Sequence, residues 1–369
     1  MRLLIAGGGT GGHLFPAIAV AKEFIKCDEK NEVLFVGTKR GLEKRVLGIE
    51  GFSFKSVSAL PLAGKGVFAK LKSLFILPFS LIQSMLIIRR FKPDFALGVG
   101  GYSAGPVIMG AKIMGVSTGV QEQNIVPGMT NKILGKFVDY IFLAFKEAQM
   151  FFEKGIVCIT GNPIRQSLFQ VDTKKAYEVF RLDEDKFTVL VFGGSLGAES
   201  INKAFTQNLD KFNGIMEKVQ IVHQTGEKNF EGVKEHYDNS TVKAFVAPFI
   251  FNMQDAYEVA DIIVCRAGAT SISEIAALGK AAVLVPYPHA AADHQTKNAQ
   301  SLEAQNAAMM IKDEDLDTSL MNILSELYEN RDRLKELRDN IGAQAKADAA
   351  KEIVRIVIES VAGKVKNVS

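Results

Sequence analysis

Met1-Arg2-Leu3-Leu4-Ile5-Ala6-Gly7-Gly8-Gly9-Thr10-Gly11-Gly12-His13 opens the chain, and its reading decides the fold. Leu3–Ala6 is a short apolar run of the kind shown by a strand buried on both faces. It passes straight into glycines, and a helical pattern follows from Pro16 to Lys26. Glycines at such a turn let the backbone come within hydrogen-bonding reach of a phosphate or sugar, and the helix N-terminus adds positive potential. The apolar run is too short for a secretory signal, so the chain is expected to start folding at residue 2 and to stay in the cytoplasm.

The same alternation continues along the chain. Further strands are expected at Val33–Gly37, Phe54–Val57, Phe95–Val99, Thr118–Gln121, Tyr140–Phe142 and Val157–Thr160. A second series runs through Thr188–Phe192, Gln220–His223, Val242–Phe245, Ile262–Cys265, Ala282–Val285 and Ala308–Ile311. Apolar strands alternating with helical stretches such as Val67–Arg90 imply βαβ units and parallel sheets. At 369 residues the chain exceeds one ordinary core. The fold class is therefore α/β, with two doubly wound, Rossmann-like domains facing across a cleft. Gly161-Asn162-Pro163 punctuates the chain and sets the division into residues 1–163 and 164–342. The tail, residues 343–369, reads as a helix through Ile353, Val354, Ile356, Val357 and Val361 that packs back on a domain, the first being preferred.

Composition narrows the function classes. A formal charge of +3, from 44 basic and 41 acidic residues, gives no reason to expect nucleic acid as a partner. Cys27, Cys158 and Cys265 lack zinc-ligand spacing and suggest no disulfide framework, so all three are expected to be buried thiols. No cofactor and no metal ligand set is read from the chain.

Two more glycine turns follow strands: Gly98-Val99-Gly100-Gly101-Tyr102-Ser103-Ala104-Gly105-Pro106 and Phe192-Gly193-Gly194-Ser195-Leu196-Gly197-Ala198. One such turn is a weak sign of a ligand, since tight strand-to-helix turns need glycine anyway; three are a strong one. A dinucleotide-binding dehydrogenase would need a carboxylate about 20 residues after its glycines. Here the second strand ends in Phe35-Val36-Gly37-Thr38-Lys39-Arg40, which weakens that reading, though a phosphorylated dinucleotide would tolerate the basic pair. None of the turns ends in the Gly-Lys-Ser or Gly-Lys-Thr of a nucleotide-hydrolysing phosphate loop.

The second half carries Cys265-Arg266-Ala267-Gly268-Ala269-Thr270-Ser271-Ile272-Ser273-Glu274, a strand end, a glycine turn and a helix start with hydroxyl residues suited to capping. The first-turn amides can receive a diphosphate, and Glu274 can accept hydrogen bonds from a ribose diol. These residues, with Val285-Pro286-Tyr287-Pro288 and Asp293-His294-Gln295, make the chain resemble two-domain nucleotide-sugar transferases of the GT-B fold. Gly9-Thr10-Gly11-Gly12-His13 with Pro16, Gly100–Pro106, Glu122-Gln123-Asn124, Gly161-Asn162-Pro163-Ile164-Arg165 and Gly193-Gly194-Ser195 occur in one order. Together they resemble the bacterial MurG family over essentially the whole chain. That family often has His where this chain has Gln121, and some members have Gln-Gln where it has His294-Gln295.

The resemblance implies transfer of N-acetylglucosamine from UDP-N-acetylglucosamine to the C4 hydroxyl of lipid I, an undecaprenyl-diphosphate-linked acceptor. The products are lipid II and UDP, formed with inversion by direct displacement, in peptidoglycan synthesis. It also implies peripheral attachment to the cytoplasmic face of the bacterial plasma membrane. Donor contacts carried over by position are Thr10, Gly11, Gly12, Asn124, Arg165, Ser195, Ile250, Ala269, Thr270, Ser271, Ile272, Ser273, Glu274 and Gln295. Acceptor contacts are Gly9, His13, Gly100, Gly101, Tyr102, Ser103 and Gly105.

An attacking hydroxyl must lose its proton, so a general base is expected. His13, at the tip of the first glycine turn, is the first candidate; its other possible part is to hold the turn or a phosphate. Glu122 is the second, as base or as orienter of the acceptor, the bland alternative being an ion pair with a basic neighbour. His223 reads as structural, His236 as solvated, and His289 and His294 belong to the donor side.

From Gly51 to Pro93 the chain has seven basic residues, Lys55, Lys65, Lys70, Lys72, Arg89, Arg90 and Lys92, and no acidic one. Inside lies the sixteen-residue run Ser73–Ile88, interrupted by Pro78, Ser80, Gln83 and Ser84. A membrane span needs about 20 apolar residues. The run fits a helix or helix pair lying against an anionic membrane surface or partly inside the core; a buried crossover helix is the alternative. Two other functions remain open at this level: a transferase using another lipid acceptor such as diacylglycerol, and a non-catalytic sugar-nucleotide-binding module at the membrane.

Overall fold

A computed structural model of the chain describes residues 1–9, 11–38, 43–59, 67–194, 196–215 and 218–363. Of the residues singled out above, Thr10, Lys39, Arg40, Lys65 and Ser195 lie outside the described residues, as does the tail beyond Gly363. The chain divides into two compact units, Met1–Arg165 with the chain from Lys346 onward, and Gln166–Ala345.

The first unit is built on seven parallel strands: β1 (Arg2–Gly7), β2 (Glu32–Gly37), β3 (Ser53–Ser56), β4 (Phe95–Gly100), β5 (Ser117–Glu122), β6 (Tyr140–Leu143) and β7 (Ile156–Cys158). Their order is β3-β2-β1-β4-β5-β6-β7, so the winding reverses between β1 and β4. Alternate side chains feed two cores. Leu3, Ile5, Phe35, Phe95 and Leu97 meet the helix Gly11–Cys27 on one face. Leu4, Ala6, Leu34, Ala96 and Val120 meet the helix Ala104–Ile113 on the other. Burial on both faces is why these strands read as unbroken apolar runs.

The second unit repeats the plan with β8 (Phe187–Phe192), β9 (Val219–Gln224), β10 (Lys243–Ala247), β11 (Ile262–Cys265), β12 (Ala281–Leu284) and β13 (Met309–Met310). All pair in parallel, in the order β10-β9-β8-β11-β12-β13, with the reversal between β8 and β11.

Several expectations need correcting. The first helix begins at Gly11, not near Pro16, because Gly7, Gly8 and Gly9, at φ of 139°, 129° and 94°, complete the turn. Pro16 sits inside the helix, where its fixed φ is compatible and only one amide is lost. The tail helix spans Ala349–Val361; a separate helix, Arg331–Ala343, ends where the predicted one was to start. It packs on the helix Gly11–Cys27 through Ile353, Val354, Ile356 and Val357, while Val361 faces solvent. Gly161 makes this return possible: at φ 88°, a Cβ there would lie 2.2 Å from Cβ of Lys346. Cys27, at the end of its helix, is exposed, whereas Cys265 is buried and Cys158 half-buried.

His223 lies within the second core, fully buried. Its ring joins Tyr237 Oη at 3.0 Å and Asn202 Oδ1 at 3.0 Å, with the Phe205 ring edge-on. Burial pushes its pKa down from the ordinary 6.5 to about 3.

Two outcomes are expected. Ile353→Ala should lower the unfolding free energy of the first unit by about 2–5 kcal/mol, read as an earlier denaturant transition with that of the second unit unmoved. The unfolded chain protonates His223 below about pH 6.5, whereas the folded chain does so only near 3. Stability of the second unit is therefore intact above 6.5 and falls by about 1.4 kcal/mol per pH unit below it. Melting curves of wild type and His223→Gln between pH 7.5 and 5 should show a smaller acid loss in the variant; equal slopes would count against this origin.

Candidate active site

Every glycine turn leaves a strand that borders a winding reversal, where the carboxyl ends of parallel strands open a crevice. In the first unit the turns after β1 and β4 touch backbone to backbone. Gly8 N–H donates to the Gly100 carbonyl at 3.3 Å. A methyl on Gly7 would lie 2.3 Å from that carbonyl oxygen, and one on Gly101 would lie 2.6 Å from the carbonyl of Gly8. The pairing of β1 with β4 slips between Ala6 and Gly7, which is where the turn begins.

His13 stands in the first turn of its helix, half-buried. Its ring occupies the space over Gly100, where a Cβ would lie 2.7 Å from Cε1. Nδ1 is 3.1 Å from Oε1 of Gln123. Tyr102 points partly to solvent, Ser103 is buried, and the helix that follows starts at Ala104 with the Ala104 amide donating to the Gly101 carbonyl. Gly9, Gly11, Gly12, Gly100, Gly101, Tyr102, Ser103 and Gly105 thus gather at one end of the first sheet. Arg165 joins them, its guanidinium 5.3 Å over the Phe15 ring.

Glu122 differs from its expected surroundings. It closes β5 and is 1% exposed. Its Oε1 accepts from Asn124 N at 3.0 Å and from Asn124 Nδ2 at 3.2 Å. Its Oε2 accepts from Gly128 N at 3.1 Å and Asn131 Nδ2 at 2.9 Å. Four neutral donors, rather than a basic side chain, hold this carboxylate. They fold the Asn124–Gly128 segment and aim Asn124.

The second unit uses the same device. A methyl on Gly197 would lie 2.0 Å from the Thr225 carbonyl, and one on Gly226 would lie 2.1 Å from that of Leu196. Gln224, at the end of β9, ties the turn to the next loop: Nε2 donates to the Gly194 carbonyl at 2.9 Å and Oε1 accepts from Ile250 N at 2.8 Å. After β11 the helix Ala269–Ala277 is capped by Gly268 rather than by a hydroxyl side chain. Its first-turn residues Ala269, Thr270 and Ser271 therefore present amides rather than caps, the Ile272 amide already donates to the Gly268 carbonyl at 3.0 Å, and Ser273 Oγ turns back to the Ala269 carbonyl at 2.8 Å. Glu274 is buried and accepts from Tyr257 Oη at 3.0 Å. Gln295 Oε1 accepts from Tyr287 N at 3.0 Å.

Three residues that carried no role in the sequence reading emerge as organisers: Gln123, Gln224 and Arg266. Arg266 spans the ends of β11 and β12. Its Nη1 donates to the carbonyls of Val285 and Pro286 at 3.3 and 3.1 Å and pairs with Asp313, and its Nη2 donates to Ser200 Oγ at 2.8 Å. Adjacency to the motif residues was the only signal in the sequence; the partners lie up to 66 residues away. Asp313-Glu314-Asp315 and Asp183-Glu184-Asp185 have the Asp-x-Asp form often used for metals. Here Asp313 serves Arg266, and Asp183 pairs with Lys243 at 2.6 Å and Lys186 at 3.0 Å. Among the described residues no group of three or more His, Cys, Asp and Glu side chains is placed to hold a metal ion.

The helix Val67–Phe91 buries two serines beside apolar residues and leaves other apolar side chains exposed. Ser80, Ser84 and Ile88 face inward, while Leu77, Phe79, Ile82 and Leu86 are 41%, 56%, 57% and 62% exposed. It packs on the helix Ala104–Ile113, where a methyl on Gly110 would make ordinary contact with Leu81, Met85 and Ile88 at 3.4–3.5 Å. This is not the fully buried crossover helix held open above. Among the described residues no helix is long and apolar enough to cross a membrane.

Comparison with known proteins matches residues 3–143 to the glycosyltransferase family 28 N-terminal domain and residues 188–353 to the family's C-terminal domain. The UDP-N-acetylglucosamine–N-acetylmuramyl-(pentapeptide) pyrophosphoryl-undecaprenol N-acetylglucosamine transferase of Syntrophus aciditrophicus is 46% identical, over 96% of this chain and 97% of its own. That of Myxococcus xanthus is 44% identical, over 97% and 93%. The crystal structure of Acinetobacter baumannii MurG superposes with a TM-score of 0.76 at 29% identity, covering 97% of this chain and 99% of that one. A Neisseria meningitidis UDP-GlcNAc 2-epimerase, at 13% identity and a TM-score of 0.70 over 97% and 100%, shares the fold alone. Matched in both of its domains and by relatives along nearly its whole length, the chain belongs to glycosyltransferase family 28 and, within it, to the MurG family.

Proposed function

We infer that the chain transfers N-acetylglucosamine from UDP-N-acetylglucosamine to the C4 hydroxyl of the lipid I muramyl residue, yielding lipid II and UDP for peptidoglycan synthesis. The observation that carries this reading is similarity to transferases of that name at 44–46% identity over 96–97% of the chain. The geometry supplies a chemistry for it. The second unit takes the donor: the amides at the start of the helix Ala269–Ala277 receive the diphosphate, Glu274 the ribose, Ile250 the base and Gln295 the sugar. The first unit offers its paired glycine turns to the acceptor, and Arg165 and Asn124 are given to the leaving group by their match to the family's motifs.

In the displacement, the acceptor C4 oxygen bonds to the anomeric carbon as the bond from that carbon to the UDP oxygen breaks, inverting the configuration. The hydroxyl proton passes to His13, and the developing negative charge on UDP meets Arg165 and the helix-end amides. Glu122 is given the part of holding its loop, since four donors already occupy its oxygens. A UDP-release assay with a short-chain lipid I analogue tests the reading. Acceptor-dependent release with UDP-N-acetylglucosamine, and far less with UDP-N-acetylgalactosamine or UDP-glucose, is the expected result. Equal release with a diacylglycerol acceptor would overturn it.

The exposed apolar face of the helix Val67–Phe91, flanked by Arg89 and Arg90, suits peripheral attachment to an anionic bilayer on the cytoplasmic side. Flotation with vesicles containing anionic lipid at low salt should carry the protein upward, and Phe79→Ser with Leu86→Ser should leave most of it below. Unchanged flotation of the double variant would remove this face from the account.

A further inference from the structure

A line of amide side chains runs inward from His13, and nothing in the proposed chemistry uses it. Gln123, Gln121 and Asn162 are 2%, 1% and 3% exposed. Burial of three polar side chains in one row is costly unless their hydrogen bonds are directed and paired, and in this row, among the described residues, only Nδ2 of Asn162, at its far end, lacks a partner. The directions can be read from the one atom whose role is fixed. The Val99 carbonyl can only accept, and it lies 2.8 Å from one end of the Gln123 amide, which must therefore be the NH₂ end. The other end, Oε1, then faces His13 Nδ1 at 3.1 Å and can only accept. The second proton of that NH₂ group goes to Oε1 of Gln121. This leaves Gln121 Nε2 to donate to Asn162 Oδ1 at 3.1 Å. The Gln121 backbone carbonyl is fixed in turn by Asn131 Nδ2 at 3.0 Å.

We propose that Gln123 is the positioning residue of His13, and that Gln123, Gln121 and Asn162 form a one-way amide relay holding the imidazole with its proton on Nδ1 and its lone pair on Nε2. The inference rests on His13 being the base of the proposed reaction. A neutral imidazole exchanges its proton between two nitrogens, and only one tautomer can accept a proton at a given place. An acceptor fixed opposite Nδ1 selects the tautomer that accepts at Nε2. Nδ1 still donates to Gln123 once the ring is protonated, so the ring takes the proton from the sugar hydroxyl without turning. Gly100 leaves the room in which the ring lies. With Gln rather than His at position 121, the row from Gln123 to Asn162 contains no titratable group, and its polarity stays the same at any working pH.

The test combines spectroscopy on the unaltered protein with kinetics on two variants. In ¹⁵N-histidine-labelled protein above the pH at which the ring is neutral, the His13 signals, assigned by their loss in His13→Asn, should show a protonated Nδ1 and an unprotonated Nε2. A proton on Nε2, or an average of both tautomers, would overturn the proposal whatever the variants do. Gln123→Leu should mix the tautomers and lower kcat by about 10²-fold or more, with donor and acceptor KM changed by less than about threefold. Unchanged kcat in a folded Gln123→Leu protein would also overturn it. His13→Asn separates the two ideas. If it keeps its turnover, the base reading itself falls; if turnover is lost while the wild-type proton lies on Nε2, only the relay falls.

Discussion

The close backbone approach of two turns in each unit, across the sheet reversal in the first and between the ends of β8 and β9 in the second, is the constraint on which the rest of this protein depends. In the first unit Gly7 and Gly8 lie against Gly100 and Gly101 at distances that leave no room for a β-carbon. Two strand ends that would otherwise be separated by side chains are thereby brought together, and their amides converge on one crevice. The ring of His13 fills the space that Gly100 leaves open. The second unit does the same with Gly197 against Thr225 and Gly226 against Leu196. The device is expensive in backbone conformation, because most of these glycines hold positive φ. Buried strands on both sides, each fully paired in parallel, supply the rigidity that keeps the turns in place.

Around these turns the protein uses side-chain amides and carboxylates as fasteners. Glu122 is spent on four local donors, Gln224 bridges Gly194 to Ile250, and Arg266 joins the ends of β11 and β12. Glu122 and Gln224 are buried and Arg266 half-buried at strand ends, where an unpaired charge or amide would be destabilising. Each therefore fixes the geometry of a loop that has no core of its own. Loops fastened in this way hold their dipoles and amides in place within each unit.

Much of this was legible before any coordinates. Strand positions were readable to within a residue or two because doubly buried strands carry no alternation to confuse them with surface elements. The glycine turns were readable because their residues have few other uses at a strand end. The start of the first helix was not, since Pro16 looks like a helix opener while Gly11 and Gly12 look like loop. The capping of the helix at Ala269 was misjudged for a similar reason: Thr270 and Ser271 are good caps in isolation, but Gly268 already sits at the boundary. Residue type reports local preference, and at both places the neighbouring turn decided the outcome.

The sequence by itself determined the two parallel, doubly wound sheets and the places where glycine turns leave them, because hydrophobic runs and glycine act locally. Its ordered motifs also resembled those of the family to which the chain belongs. Only the tertiary structure decided that Glu122 is saturated by donors, that Gln123 faces His13 across 110 positions of chain, and that Ser80 and Ser84 are buried while Phe79 is exposed on the helix Val67–Phe91. These depend on which side chains meet across a sheet or between helices. No local preference of one segment encodes that, because it is set by the packing of segments far apart in the chain.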